Sequence, residues 1–96
     1  MHWARGEWQC ARVYAVLGRA EPALHHGRRC LALAEEYELS PFDVGCGHEA
    51  IARAYSVAGA AEDAERHLAL GYAVLDKVTD GEERELLQAD LDSVRH

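Results

Sequence analysis

Residues 11–34, "ARVYAVLGRAEPALHHGRRCLALA", and residues 52–75, "ARAYSVAGAAEDAERHLALGYAVL", are two versions of one pattern. Aligned at an offset of 41 they share 10 identities in 24 positions, condensed as A-R-x-Y-x-V-x-G-x-A-E-x-A-x-x-H. Unrelated segments give about one or two identities over such a span. The duplication is a strong constraint on the fold. Each copy must adopt the same local structure, and a small repeated unit buries its apolar face only by packing on its neighbour.

The apolar spacing within each copy has a helical period and almost nothing of the alternation that marks strands. Cys10, Tyr14 and Leu17 fall at i, i+4, i+7 in a first helix over about 4–17, and Ala23, Gly27, Cys30 and Ala34 continue the pattern in a second over about 21–38. Gly18 and Gly59 mark tight turns between the helices of each pair. A third helix is expected to start at "SPFD", with Ser40 as N-cap, Pro41 at the first helical position and Asp43 closing a capping box. Its stripe is Val44, His48, Ile51, Tyr55 and Ala58. A fourth helix over about 61–78 carries Ala64, Leu68, Gly71, Leu75 and Val78. A fifth opens at "DGEE", capped by Asp80 with Glu83 as reciprocal partner, and presents Leu87, Leu91 and Val94. The expectation is an all-α single domain of about five helices: one hairpin over about 5–38, a second over about 42–78 and a capping helix over about 82–94.

Composition bears on partners and compartment. The net charge of −7 is concentrated in the C-terminal part, where residues 62–96 hold 10 acids against 4 bases. That balance disfavours nucleic acid and anionic membranes as partners. No apolar run reaches the roughly 18 residues of a membrane span, and nothing at the N-terminus has the pattern of a signal peptide, so a cytoplasmic protein is expected. Cys10, Cys30 and Cys46 are an odd set with no C-x-x-C pair, and they read as small buried hydrophobes.

The paired motifs resemble the tetratricopeptide repeat. The resemblance is carried by the alanine before the tyrosine (Ala11, Ala52), the tyrosine (Tyr14, Tyr55), the turn glycine (Gly18, Gly59) and the second-helix alanine (Ala23, Ala64), and it covers residues 5–78. The 41-residue spacing exceeds the 34 usual for the family, as in its longer-helix variants. Leu68 matches the large second-helix position of the family, whereas Gly27 stands there in the first copy and is expected to leave a thin spot in the core. The chain is also similar to small bacterial proteins of this type in which further helical sequence precedes the counterpart of Trp3. On that comparison the chain is expected to be a truncated or short form.

The resemblance implies a right-handed superhelix of stacked hairpins acting as a protein–protein interaction or scaffold module, without catalysis and without a cofactor. It further implies that the first helix of each hairpin lines a concave surface, placing Arg5, Trp8, Arg12 and Val16 beside Cys46, Glu49, Arg53 and Val57. Arg12 and Arg53 recur at equivalent positions, the arrangement of a fork for a carboxylate or an acidic peptide, with Trp8 as an aromatic anchor. The plainer reading pairs Arg53 with Glu49 at i, i+4 and leaves both arginines solvated. Trp3 and Trp8, near an uncovered end of the stack, lead to the expectation of a homodimer formed through the N-terminal helices.

Enzymatic and metal chemistry find little support in the sequence. "HEAIA" at 48–52 begins like the H-E-x-x-H zinc helix, but Ala52 replaces the second histidine; G-x-S-x-G and phosphate-loop motifs are absent. No metal is expected. The residues nearest to a ligand set are His26, Cys30 and His67, and a metal or small-ligand sensor built on them is the alternative function. Yet His26 and His67 recur because the hairpin recurs, and Cys30 lies on a packing stripe.

Overall fold

A computed structural model describes residues 3–95. Among them five α-helices run in order: α1 (Trp3–Val16), α2 (Ala20–Glu36), α3 (Pro41–Ala58), α4 (Ala61–Val74) and α5 (Gly81–Arg95). A single 3-10 turn, Leu75–Lys77, follows α4. The fold is all-α, with α3 at its centre in contact with each of the other four helices. α3 is flanked by α1 on one side and by α5 on the other, with α2 packed on α1 and α3, and α4 packed on α3.

The ends of the helices follow from local chemistry. Ser40 caps α3 by accepting the backbone N–H of Asp43, with Pro41 at the first position. Its hydroxyl in turn donates to the Asp43 carboxylate at 2.9 Å. Asp80 caps α5 by accepting the Glu83 N–H at 2.9 Å. At the other end, α1, α2 and α3 share one termination, in which an N–H reaches back to a carbonyl five residues earlier: Arg19 to Tyr14, Leu39 to Ala34 and Ala60 to Tyr55. The residue that makes the turn is left-handed each time, Gly18 at φ 73° and Gly59 at φ 78°, but Glu38 at φ 49° after α2.

Three expectations change. Cys10, expected to be a buried hydrophobe like Cys30 and Cys46, is exposed, because it lies on the outer side of α1 that no other helix covers. The fourth helix stops at Val74 rather than near 78, because the chain tightens into the 3-10 turn and then extends, carrying Val78 into the core at 2% exposure. Arg84 fixes that extended segment by donating twice to the Val78 carbonyl, at 2.8 and 3.1 Å. Gly27 leaves no thin spot. A Cβ there would lie 3.1 Å from the Ile51 backbone nitrogen, and one at Gly47 would lie 2.8 Å from Leu31 Cα. The two glycines let the α2 and α3 backbones meet directly, so the missing side-chain volume is filled by main chain.

The core is uneven along the stack. Phe42, Cys46, Ala52, Leu68, Val78, Leu87 and Leu91 join α3, α4 and α5, whereas α1, α2 and α3 meet over Ala15, Ala23 and Ala54 with Tyr14 and Leu24 beside them. The large apolar side chains thus sit in the second hairpin and the capping helix, and the first hairpin is held by close approach of small residues.

Candidate functional site

The repeat offset organises the polar contacts. Residues 41 apart occupy equivalent places on α1 and α3, and those helices are neighbours, so equivalent side chains meet. Trp8 and Glu49 are such a pair: the indole Nε1–H donates to Glu49 Oε1 at 2.6 Å. Glu49 is only 1% exposed, and its other oxygen accepts Arg53 Nε at 2.8 Å. Arg53 continues to α5, donating to the Asp90 carbonyl at 3.2 Å and to Ser93 Oγ at 2.6 Å. One buried carboxylate therefore ties α1, α3 and α5 together, and this satisfies a charge that would be costly to bury alone.

The pairing of Arg53 with Glu49 at i, i+4 matches the plainer expectation, with two corrections. Glu49 and Cys46, placed on the exposed side by the resemblance, are buried, because α5 covers this part of α3. Arg53 is largely enclosed, at 17% side-chain exposure, and its donors face protein groups. It is not a free arm of a fork. Arg12 differs: it stacks over the Trp8 ring at 5.8 Å, approaches the Asp90 carboxylate only to 3.7 Å and keeps 36% of its side chain exposed.

Below these residues, between α1, α3 and α5, lies a cleft of about 190 Å³. Ala4, Trp8, Phe42, Cys46 and Leu86 supply apolar wall, and Arg5, Asp43 and Asp90 supply polar groups. Arg5 donates from Nε to Asp43 at 3.0 Å, lies over the Phe42 ring at 5.4 Å and reaches Glu83 at 3.7 Å. Cys30 and Cys46 also border the cleft, and burial raises both thiol pKa values, that of Cys30 to about 12. Both stay protonated at neutral pH, as packing residues do. Every buried side-chain nitrogen or oxygen among the described residues has a hydrogen-bond partner.

The histidines form a second constellation, again set by the duplication. Tyr14 stacks on His26 at 5.6 Å and Tyr55 on His67 at 5.9 Å. His26 Nδ1 meets Glu7 Oε1 at 2.6 Å, while at the equivalent place in the second hairpin His67 Nδ1 meets His48 Nδ1 at 3.2 Å. Arg29 also donates to Glu7, whose pKa burial alone would raise; the bonds from Arg29 and His26 outweigh burial and lower it. Burial lowers the pKa of His48 and is the leading cause of the lowering at His67, where the charge of His48 adds to it. His26, Cys30 and His67 are not brought together: each histidine has its own partner and Cys30 is 1% exposed in the core. Among the described residues no three of His, Cys, Asp and Glu converge as a metal ligand set.

Comparison with family models, curated proteins and solved structures returns no match. The geometry is therefore the whole basis for a functional reading. Among the described residues no helix is long and apolar enough to cross a membrane. Of the residues expected to bind a partner, Arg5, Trp8 and Arg12 border the cleft or its rim, whereas Glu49 and Arg53 form the tie beneath it. The Trp3 side chain lies outside the described residues. Sequence reasoning missed Asp43, Asp90 and Leu86 as members of this site. The first could have been found from the duplication, since it lies two positions before the counterpart of Ala4 and so faces the start of α1.

Proposed function

We propose that this domain is a non-catalytic, tetratricopeptide-like interaction module that receives a peptide segment in the groove between α1, α3 and α5. An apolar side chain of the partner enters the cleft beside Trp8, Phe42 and Leu86, and a neighbouring carboxylate of the partner is taken by Arg12 and Arg5. The observation that carries this reading is the apolar cleft flanked by two arginines whose outer contacts, to Asp90 and Glu83, are both at 3.7 Å. Contacts of that length between partly exposed groups are weak and exchange readily for a better-placed carboxylate. Arg53 has no such role; it holds the groove's shape. A bidentate guanidinium contact beside a filled apolar pocket is a common anchor in interfaces.

Panning the purified domain against a random peptide display library tests the proposal. The expected outcome is enrichment of a large apolar residue next to Asp or Glu, with binding of the selected peptides lost in Arg12→Glu and in Leu86→Asp. Both positions are solvent-facing enough for the variants to fold. Enrichment of no sequence, or binding that neither variant weakens, would refute the reading.

A further inference from the structure

The outer side of α1 carries an apolar stripe, Gly6, Cys10, Val13 and Leu17, spaced at i, i+4, i+7 and i+11 and exposed along its length. Val13 is 57% and Leu17 64% exposed. The duplication says what such a face does elsewhere in this chain. Its counterparts on α3 are Gly47, Ile51, Ala54 and Ala58, and the first three are buried against α2. Gly47 there meets the Leu31 main chain, whereas Gly45 receives the Leu87 side chain and Gly71 that of Leu91, so the fold twice sets a leucine into the space over a helical glycine. Gly6 sits inside a helix with nothing within 4 Å of its Cβ position. Leu17, on the same stripe, is a large apolar side chain in water.

We infer that α1 packs antiparallel on α1 of a second copy of this chain, with Leu17 of each copy set over Gly6 of the other. The stripe is self-complementary. A two-fold axis midway between Ala11 and Arg12 brings Gly6 opposite Leu17 and Cys10 opposite Val13, twice over, as an isologous contact requires. Charge favours the same occupant. α1 carries Arg5 and Arg12 against Glu7, whereas each of the other four helices has more acids than bases. Both arginines face the groove, so the outer side of α1 is left the least acidic helical face, through which two chains of net charge −7 repel least. The stripe itself bears no charge. Trp8 takes no part in this contact, since it faces the groove on the opposite side of α1.

One helix face per copy is a small interface, so the dimer is weak, with a dissociation constant on the order of 10–100 µM. Sedimentation equilibrium of the full chain over about 5 to 300 µM should show a reversible monomer–dimer system. Leu17→Glu and Val13→Glu, both at exposed positions, should keep the helical circular dichroism signal and remain monomeric throughout. Cys10 supplies an independent readout, because it is exposed while Cys30 and Cys46 are buried. A short bis-maleimide should trap wild-type dimers through Cys10, and Leu17→Glu should abolish the trapping. A wild-type chain monomeric at the top concentration overturns the inference, as does a dimer that survives both glutamate substitutions. The groove reading stands or falls separately, since neither position borders the cleft.

Discussion

Glu49 shows how a residue can be essential to a site without facing a ligand. Its carboxylate is buried, accepts from Trp8 on α1 and Arg53 on α3, and through Arg53 reaches α5. Glu49→Ala leaves the Arg53 guanidinium and the indole N–H without their acceptor in a dry environment. The expected cost is about 3–5 kcal/mol, measured by urea denaturation. Arg12→Ala removes a partly exposed charge 3.7 Å from its partner and should cost less than about 1 kcal/mol. An equal cost for the two variants would contradict the assignment of Glu49 as the tie and Arg12 as a solvent-facing contact. His48 and His67 give a second expectation at this scale. Both have lowered pKa values in the fold, so below their ordinary value of 6.5 the unfolded chain takes up protons that the folded chain resists. Stability contributed by the neutral pair is complete above about pH 6.5 and is lost as pH falls below it. Asp63 on α4 opposes the effect at His67, while Arg66 and, from α2, Arg28 reinforce it. The thermal midpoint should fall between about pH 7.5 and pH 5.5, and His48→Gln should flatten that slope. Glu7 acts in a lower window: its lowered pKa adds stability above its ordinary value of 4.5 that disappears as pH falls further.

At the scale of the helices, the three shared terminations place one strained residue among two unstrained ones. Glu38 adopts φ 49°, where Gly18 and Gly59 sit without a side-chain penalty. Glu38→Gly should therefore stabilise the protein by about 0.5–1 kcal/mol, less than the full left-handed penalty because glycine also loosens the unfolded chain. For a domain of this size that is a rise of several degrees in thermal midpoint, and a fall would show that the Glu38 side chain has a compensating role. The helices themselves were largely legible from sequence. The Ser40–Pro41–Asp43 cap, the turn glycines and the 3.6-residue stripes are short-range signals, and the chain obeys them except on the first stripe, where Cys10 and Leu17 are exposed. The end of α4 was not legible, because Val78 leaves the helix to reach a core built with α5, and that is a contact made by another element. Gly27 misled for the same reason: in sequence a small residue at a large position reads as a gap, while in space it is the point where α2 meets the α3 main chain.

For the whole molecule, the duplication is the most informative signal in the sequence. It sets the hairpins, and on the faces where α1 and α3 meet it also brings together positions 41 apart, as with Trp8 and Glu49. The offset likewise makes Glu7 with His26 and His48 with His67 two versions of one contact, in which the acid has become a histidine. What the duplication could not supply is α5, whose placement buries Glu49, encloses Arg53 and roofs the cleft. This is why the arginine pair reads as a symmetric fork in sequence and as one tie and one rim contact in the structure. The central claim is that a partner peptide enters the groove shaped by these three helices. Titrating the ¹⁵N-labelled domain with a peptide selected by panning, and following the Trp8 indole N–H with the backbone amides, tests it most directly. Shifts are expected at Trp8 and at Ala4, Arg12, Cys46, Leu86 and Asp90, with the α2 and α4 outer faces unchanged. Perturbations confined to those outer faces, with the Trp8 indole resonance unmoved, would contradict it.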